Sequence, residues 1–262
     1  MKTQAVIFAL PGTSSSDAAG TLRHVDELFG RRFGDIRRIW AYTSSGVRRK
    51  LEKLNTPVSD PGNALDALFK TGITHVAVKS LHLATGMEYK ELHDIVQEKR
   101  KVFDQIVISS PLLDTPADLE RTIRYLLASL PIETAETDTL LLVAHGSRQP
   151  EAQAAYEGAA ALCRRFERRV LLGSLMSRPG LDDVIRECKA ADIRKLVLVP
   201  MMIAAGFSAR TEIAGSGSDS WLSALNREGI SCVPVFKGLG DHDDIVQIWL
   251  DDIERMLAEL SG

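Results

Sequence analysis

The sequence predicts an α/β protein built from two similar doubly wound parallel-sheet halves with a cleft between them. Three observations carry this expectation. Short apolar, β-branched runs recur along the 262 residues. They are too short for helices and too continuous for strands with one face in water, so they suit parallel strands covered on both faces. Amphipathic helical stretches separate them, and such regular alternation makes an open sheet with helices on both sides. Finally, the strand ends repeat. "ITHVAVKSLHLATGMEY" lies over "IRKLVLVPMMIAAGFSA" with Gly86 on Gly206, and "AVIFALPGTSSSDA" over "LLLVAHGSRQPEA" with Gly12 on Gly146.

In chain order, the candidate strands are residues 5–10, 75–83, 105–110, 139–145, 169–175, 195–203 and 231–236, with 36–43 a weaker eighth. The seventh in sequence, "KLVLVPMMI", is expected to break at Pro200 and to open into a loop after Gly206. "PADLERTIRYLLASL" and "EAQAAYEGAAALCRRFERR" show helical periodicity. "LPIETAETD" at 130–138 reads as the connector, which gives an N-terminal half at 1–132 and a C-terminal half at 138–262, with the last helix free to pack back on the first half.

Composition narrows the function. A formal net charge of -3 removes whole-molecule basicity as a route to nucleic acid. Cys163, Cys188 and Cys232 are scattered and form no C-x-x-C pair, which argues against a disulfide framework or a cysteine zinc site and for core thiols in a reducing compartment. The apolar run at the N-terminus stops at Pro11, too soon for a secretory signal, and no run reaches membrane-spanning length. The expected location is cytoplasmic, with neither nucleic acid nor membrane as partner.

In open α/β sheets, ligands sit at the carboxyl ends of strands. Four loops qualify: Pro11-Gly12-Thr13, His82 to Glu88, His145-Gly146-Ser147, and Ala205 to Ser208. His145 directly follows a buried run and precedes a glycine, which would hold its imidazole on a rigid element, as a ligand or base or as a packing residue. Glu88 opens a helix, either as a functional carboxylate or as a first-turn acid answering the helix dipole. His82 falls late in a buried strand and either fills the core or lines the cleft. His24, His93 and His242 have polar helical contexts and are expected at the surface; His75 should begin its strand without a role. "GSGSDSW" at 215–221 reads as a loop ending in a helix cap at Ser218 or Asp219. There is no G-x-S-x-G elbow, phosphate-binding G-x-x-x-x-G-K-[ST] loop or H-E-x-x-H. Arg48, Arg49, Lys50, Arg148, Arg178 and Arg210 gather near the same loops, and arginine grips carboxylates in bidentate fashion.

Seven segments then carry a resemblance over nearly the whole chain: "GTS" (12–14), "AYTSSGVRRKL" (41–51), "SLHLATGMEYKEL" (80–92), "HGS" (145–147), "VPMMIAAG" (199–206), "DSW" (219–221) and "GLGDHDDI" (238–245). In this order and spacing the chain resembles the anaerobic sirohydrochlorin cobaltochelatases of cobalamin biosynthesis, in the class II tetrapyrrole chelatase superfamily. The resemblance implies insertion of a divalent metal into a tetrapyrrole, with His145 and Glu88 as catalytic and metal-binding groups. It implies no organic cofactor, since the metal is itself a substrate: Co2+ first, Fe2+ or Ni2+ as alternatives. Gly12, Thr13, His82, Gly146, Arg148, Met176, Arg178, Phe207, Ser208 and Arg210 are the substrate-binding candidates. Ser208 stands where the family places a second metal-binding histidine, and Met176 where some members carry an acid. The alternative is a tetrapyrrole-binding or carrier protein for haem or a metallated sirohydrochlorin, or a dechelatase, that has lost metal insertion. A homo-oligomer is left open.

Overall fold

A computed structural model describes residues 4–56, 58–129, 139–167 and 169–262; the connector expected at 130–138 lies outside them. All eight candidate runs form strands: β1 (Gln4–Leu10), β2 (Arg37–Tyr42), β3 (His75–Ser80), β4 (Gln105–Ile108), β5 (Thr139–Ala144), β6 (Val170–Ser174), β7 (Lys195–Met201) and β8 (Ser231–Pro234). They make two parallel four-stranded sheets with the same order, β2-β1-β3-β4 and β6-β5-β7-β8. The helices are α1 (Ser16–Phe33), α2 (Ser45–Lys53), α3 (Pro61–Lys70), α4 (Met87–Lys99), α5 (Pro116–Ala128), α6 (Pro150–Cys163), α7 (Leu181–Ala190), α8 (Trp221–Arg227) and α9 (Asp243–Glu259).

The central strands explain the continuous apolar runs. Val6, Ile7 and Phe8 in β1 and Leu140 through Val143 in β5 are wholly buried, because helices cover both faces of each sheet. In the first sheet Ile7, Val78 and Ile106 pack with Leu65, Leu68 and Leu92 from α3 and α4. In the second, Leu141, Leu171 and Leu198 pack with Val184, Trp221 and Leu225 from α7 and α8. Cys163 and Cys188 are buried and Cys232 partly so, all three as free thiols. Burial pushes them up to about 12, 11 and 12, far from thiolate reactivity.

The chain divides into two compact units that are discontinuous in sequence. The first takes β1, Val25–Thr115 and Val246–Gly262, and the second takes Ser15–His24 and Pro116–Ile245. Helix α9 is tied into the first unit by the Lys79–Asp252 ion pair at 2.6 Å and by a bond from the Gln4 side-chain amide to the Leu257 carbonyl at 3.1 Å. Arg32 of α1 reaches Asp251 and Glu254 of α9, each at 2.7 Å. Helix α5, though it precedes the connector, goes with the second unit.

Three local expectations need correction. Strand β7 does not break at Pro200 but runs through it to Met201, with Pro200 opposite Val143 of β5. The reason is geometric. Leu198, two residues earlier on the same side, accepts from Val235 where β8 has already run out, so the N–H that Pro200 lacks would meet no strand. The cap of α8 is Ser220, whose hydroxyl accepts from the Ser223 amide at 3.1 Å and donates to the Gly215 carbonyl at 2.6 Å; neither Ser218 nor Asp219 caps it. His24 and His93 lie at the surface, whereas His242 is partly buried. His24 pairs with Asp243 at 2.8 Å, and burial lowers the pKa of His242, whose Nε2 is enclosed without a partner among the described residues. His75 does begin β3. Among the described residues no helix is long and apolar enough to cross a membrane.

Candidate active site

The two units repeat one backbone scheme at their strand ends. After β1 and β2, the amides of Thr43 and Ser44 donate to the carbonyls of Leu10 (2.8 Å) and Pro11 (3.2 Å). After β5 and β6, the amides of Leu175 and Met176 donate to those of Ala144 and His145, both at 3.0 Å. Pro11 thus matches His145, and Ser44 matches Met176. The loops after β3 and β7 match as closely. Leu112 and Leu113 donate to His82 and Leu83 at 3.1 and 2.7 Å, while Leu239 and Gly240 donate to Met202 and Ile203 at 2.7 and 2.9 Å. Gly86 and Gly206 each donate to the residue two before (2.8 and 2.9 Å) and each accept from the residue four ahead, Lys90 at 3.0 Å and Arg210 at 3.1 Å. Glu88 and Ser208 therefore stand at one backbone position in two copies.

In the second unit, His145 is the first residue beyond β5 and is exposed. Its loop is held from below. Gly146 has φ +84, and a Cβ there would lie 2.0 Å from the Ser174 hydroxyl, so only glycine serves. The Ser174 and Ser177 hydroxyls bond at 2.7 Å, the Ser177 amide donates to Ser174 Oγ at 2.9 Å, and the Ser147 amide donates to Ser177 Oγ at 3.4 Å. Burial pushes the Tyr156 hydroxyl, which bonds the Gly146 backbone, up to about 12, so it stays a neutral prop. Met176, 39% exposed, lies beside His145 across the β5–β6 strand ends. Past β7, Phe207 is 69% exposed and Ser208 opens a π-helical turn, Ser208–Ile213, the kind of irregular helix that often marks a functional segment.

In the first unit, Gly12 mirrors Gly146. Its φ is +91, and a Cβ would lie 2.4 Å from the Tyr42 ring. Thr13 follows, partly buried. Glu88 occupies the first turn of α4 and accepts from the Thr43 hydroxyl at 3.4 Å. His82 departs from its expected place: β3 ends at Ser80, and the imidazole sits in the loop beyond, 5% exposed. Its Nε2 is 2.9 Å from Thr43 Oγ1 and its Nδ1 3.0 Å from Ser80 Oγ. Desolvation lowers its pKa to about 4, so it is neutral at physiological pH.

The basic residues are not equivalent. Arg48 spends its guanidinium on the carbonyls of Tyr42 and Thr43, at 2.6 and 2.7 Å. Arg178 grips Asp183 through two nitrogens, at 3.2 and 2.9 Å, and holds that carboxyl well below the usual range. Arg210 lies over the Phe236 ring, 5.6 Å from its centroid. Arg148, Arg49 and Lys50 are exposed. Thr43, Ser174 and Ser177 were absent from the sequence-based candidates. Thr43 stands in "AYTSSG", past the end of β2, the weakest strand candidate, and outside the four strand-end loops that the sequence singles out. Among the described residues no group of three or more His, Cys, Asp or Glu side chains is placed to hold a metal ion.

The cobalt chelatase (CbiK) family matches residues 4–258. The sirohydrochlorin cobaltochelatase CbiKC of Nitratidesulfovibrio vulgaris is 32% identical over 262 residues, covering 99% of this chain and 93% of that protein. The sirohydrochlorin cobaltochelatase of Salmonella typhimurium is 29% identical over 220 residues, covering 83% and 82%. Among solved structures, SirB from Bacillus subtilis with Fe3+ superposes with a TM-score of 0.60 at 17% identity, covering 99% of this chain and 98% of that one, which is a likeness of fold. With the family matched almost end to end and a relative this similar along its whole length, the chain belongs to the cobalt chelatase (CbiK) family.

Proposed function

We propose that this protein inserts Co2+ into sirohydrochlorin, with Glu88 and His145 handling the metal and the pyrrole protons. The support lies in the family match together with one structural observation: the first residue past β5 is an exposed histidine on a loop locked by Gly146, Ser174 and Ser177. Insertion replaces two pyrrole N–H protons with the metal, so a base must reach the ring centre, and imidazole is suited to that task. A sparse nitrogen and oxygen ligand set also releases the metal more readily than a closed cage. Sirohydrochlorin is rich in carboxylates, and Arg148 and Arg210 carry the charge to bind them. Arg178 can join them only by sharing its bond with Asp183.

Anaerobic incubation with sirohydrochlorin and Co2+, followed by macrocycle absorbance, tests this. The expected result is insertion well above the uncatalysed rate, with Fe2+ and Ni2+ slower. Tight macrocycle binding without metal insertion would overturn it. Ser208 favours a second reading, a carrier for an already metallated tetrapyrrole, because a neutral hydroxyl is neither a base nor a strong ligand for a divalent ion. That reading requires His145→Ala to abolish affinity for haem or cobalt-sirohydrochlorin.

A further inference from the structure

We infer that Thr43 is a positioning residue for Glu88, and that His82 and Ser80 behind it fix the direction in which its hydroxyl points. The inference rests on the role proposed for Glu88 above.

The hydrogen-bond arithmetic permits one direction. An ionised carboxylate only accepts, so the Thr43 hydroxyl donates its single proton to Glu88 Oε2. Its oxygen then faces His82 Nε2 at 2.9 Å as an acceptor, which requires the proton of the neutral imidazole to sit on Nε2. Nδ1 is left as an acceptor for the Ser80 hydroxyl at 3.0 Å, and Ser80 Oγ in turn accepts the His82 amide at 3.3 Å. The Ser80 amide ends the row by donating to Ser109 Oγ at 2.9 Å. Each donor of Thr43, His82 and Ser80 in this row meets an acceptor. Reversing the row would turn lone pairs of Thr43 toward Glu88 and leave the carboxylate oxygen unserved. Thr43, Ser80 and His82 are all buried, so water cannot stand in for a missing partner.

The internal repeat supplies an independent argument. The second unit carries the same backbone scheme with Pro200, Leu175, Met202 and Ser208 at the positions of Ser80, Thr43, His82 and Glu88. Pro200, Leu175 and Met202 cannot continue the row, and Ser208 brings no carboxylate to its end. The fold therefore stands without this network, and the network occurs in the unit that carries the carboxylate. Its consequence is local: Thr43 holds Oε2, so the rotamer of Glu88 is set in advance and Oε1 stays available to a metal. Polar partners behind a ligand typically change affinity or activity by about 10–100-fold.

Thr43→Val keeps the shape and removes the hydroxyl, and Thr43→Ser keeps the hydroxyl. Co2+ insertion should fall about tenfold or more in kcat in T43V, with the KM for sirohydrochlorin within about twofold, and T43S should recover most of the rate. The imidazole 15N resonances of the wild-type protein give a readout that needs no turnover and no mutant, and they should report the Nε2–H tautomer for His82. Wild-type kcat in T43V, or a T43S as slow as T43V, would overturn the inference. So would an Nδ1–H tautomer, even if T43V fails to fold. If the wild-type protein inserts no Co2+, the proposed function falls while the tautomer still decides the hydrogen-bond row.

Discussion

Ser208 occupies in the second unit the backbone position that Glu88 occupies in the first. Each stands two residues after a glycine whose carbonyl accepts the opening helical bond, from Arg210 at 3.1 Å and from Lys90 at 3.0 Å. One copy presents a carboxylate backed by Thr43; the other presents a partly buried hydroxyl beside the exposed Phe207. The two units thus share the backbone of this loop and differ in the side chain it presents.

Ser208→His should therefore supply a base and ligand without rebuilding the loop. Co2+ insertion into sirohydrochlorin is expected to rise about 100-fold, at the low end of what a positioned proton-transfer group contributes. An unchanged kcat would show that position 208 does not meet the metal.

His145→Ala should separate chemistry from folding. The imidazole is exposed and makes no hydrogen bond among the described residues, so stability should shift by no more than about 0.5 kcal/mol. Insertion should fall by about 100-fold or more. Calorimetry and the absorbance assay on the same preparation check both halves; a large loss of Tm would assign His145 a packing role instead.

His82 makes stability depend on acid. Burial lowers its folded pKa to about 4 from an ordinary 6.5, so below 6.5 the unfolded chain binds a proton that the folded chain refuses. Stability should rise with pH between 4 and 6.5 and be fully present above that window, with a span of about 3 kcal/mol from this group. Urea unfolding across that range measures it. His82→Asn should flatten the dependence, and an unchanged slope would place the acid sensitivity elsewhere.

Gly146→Ala should destabilise by about 2 kcal/mol or more, from a positive φ together with a Cβ 2.0 Å from Ser174 Oγ. Adding Ser174→Ala removes the nearer clashing oxygen and should recover part of the loss, leaving the backbone cost and the Ser177 Oγ 2.7 Å from the new Cβ. Urea midpoints of the single and double variants test this; equal midpoints would mean that the hydroxyl is not what confines the glycine.

Much of this protein was visible in its residues. The eight strands were, because continuous burial writes a continuous apolar run, and β2 was weakest because Arg37 and Arg38 open it at the sheet edge. The duplication was also visible, since Gly12 and Gly146 answer the same steric demand with the same residue. Pro200 misled because its effect depends on where a neighbouring strand ends, which no local pattern contains.

The candidate groups divide along the same line. His145 and Glu88 stand out on local signals, His145 as the first residue past a strand and Glu88 in the first turn of the helix that follows one. The partners of Glu88 do not. Thr43 is 45 residues from Glu88 and 39 from His82 along the chain, and parallel pairing of β2, β1 and β3 brings their strand ends together. The chain alone determined the two-sheet architecture, the repeat and the residues that can carry charge or protons. Tertiary structure decided which are already engaged, with Arg48 committed to carbonyls, Arg178 to Asp183 and His82 to Thr43, because a hydrogen bond's partner is chosen by proximity in space and its value by the water excluded around it.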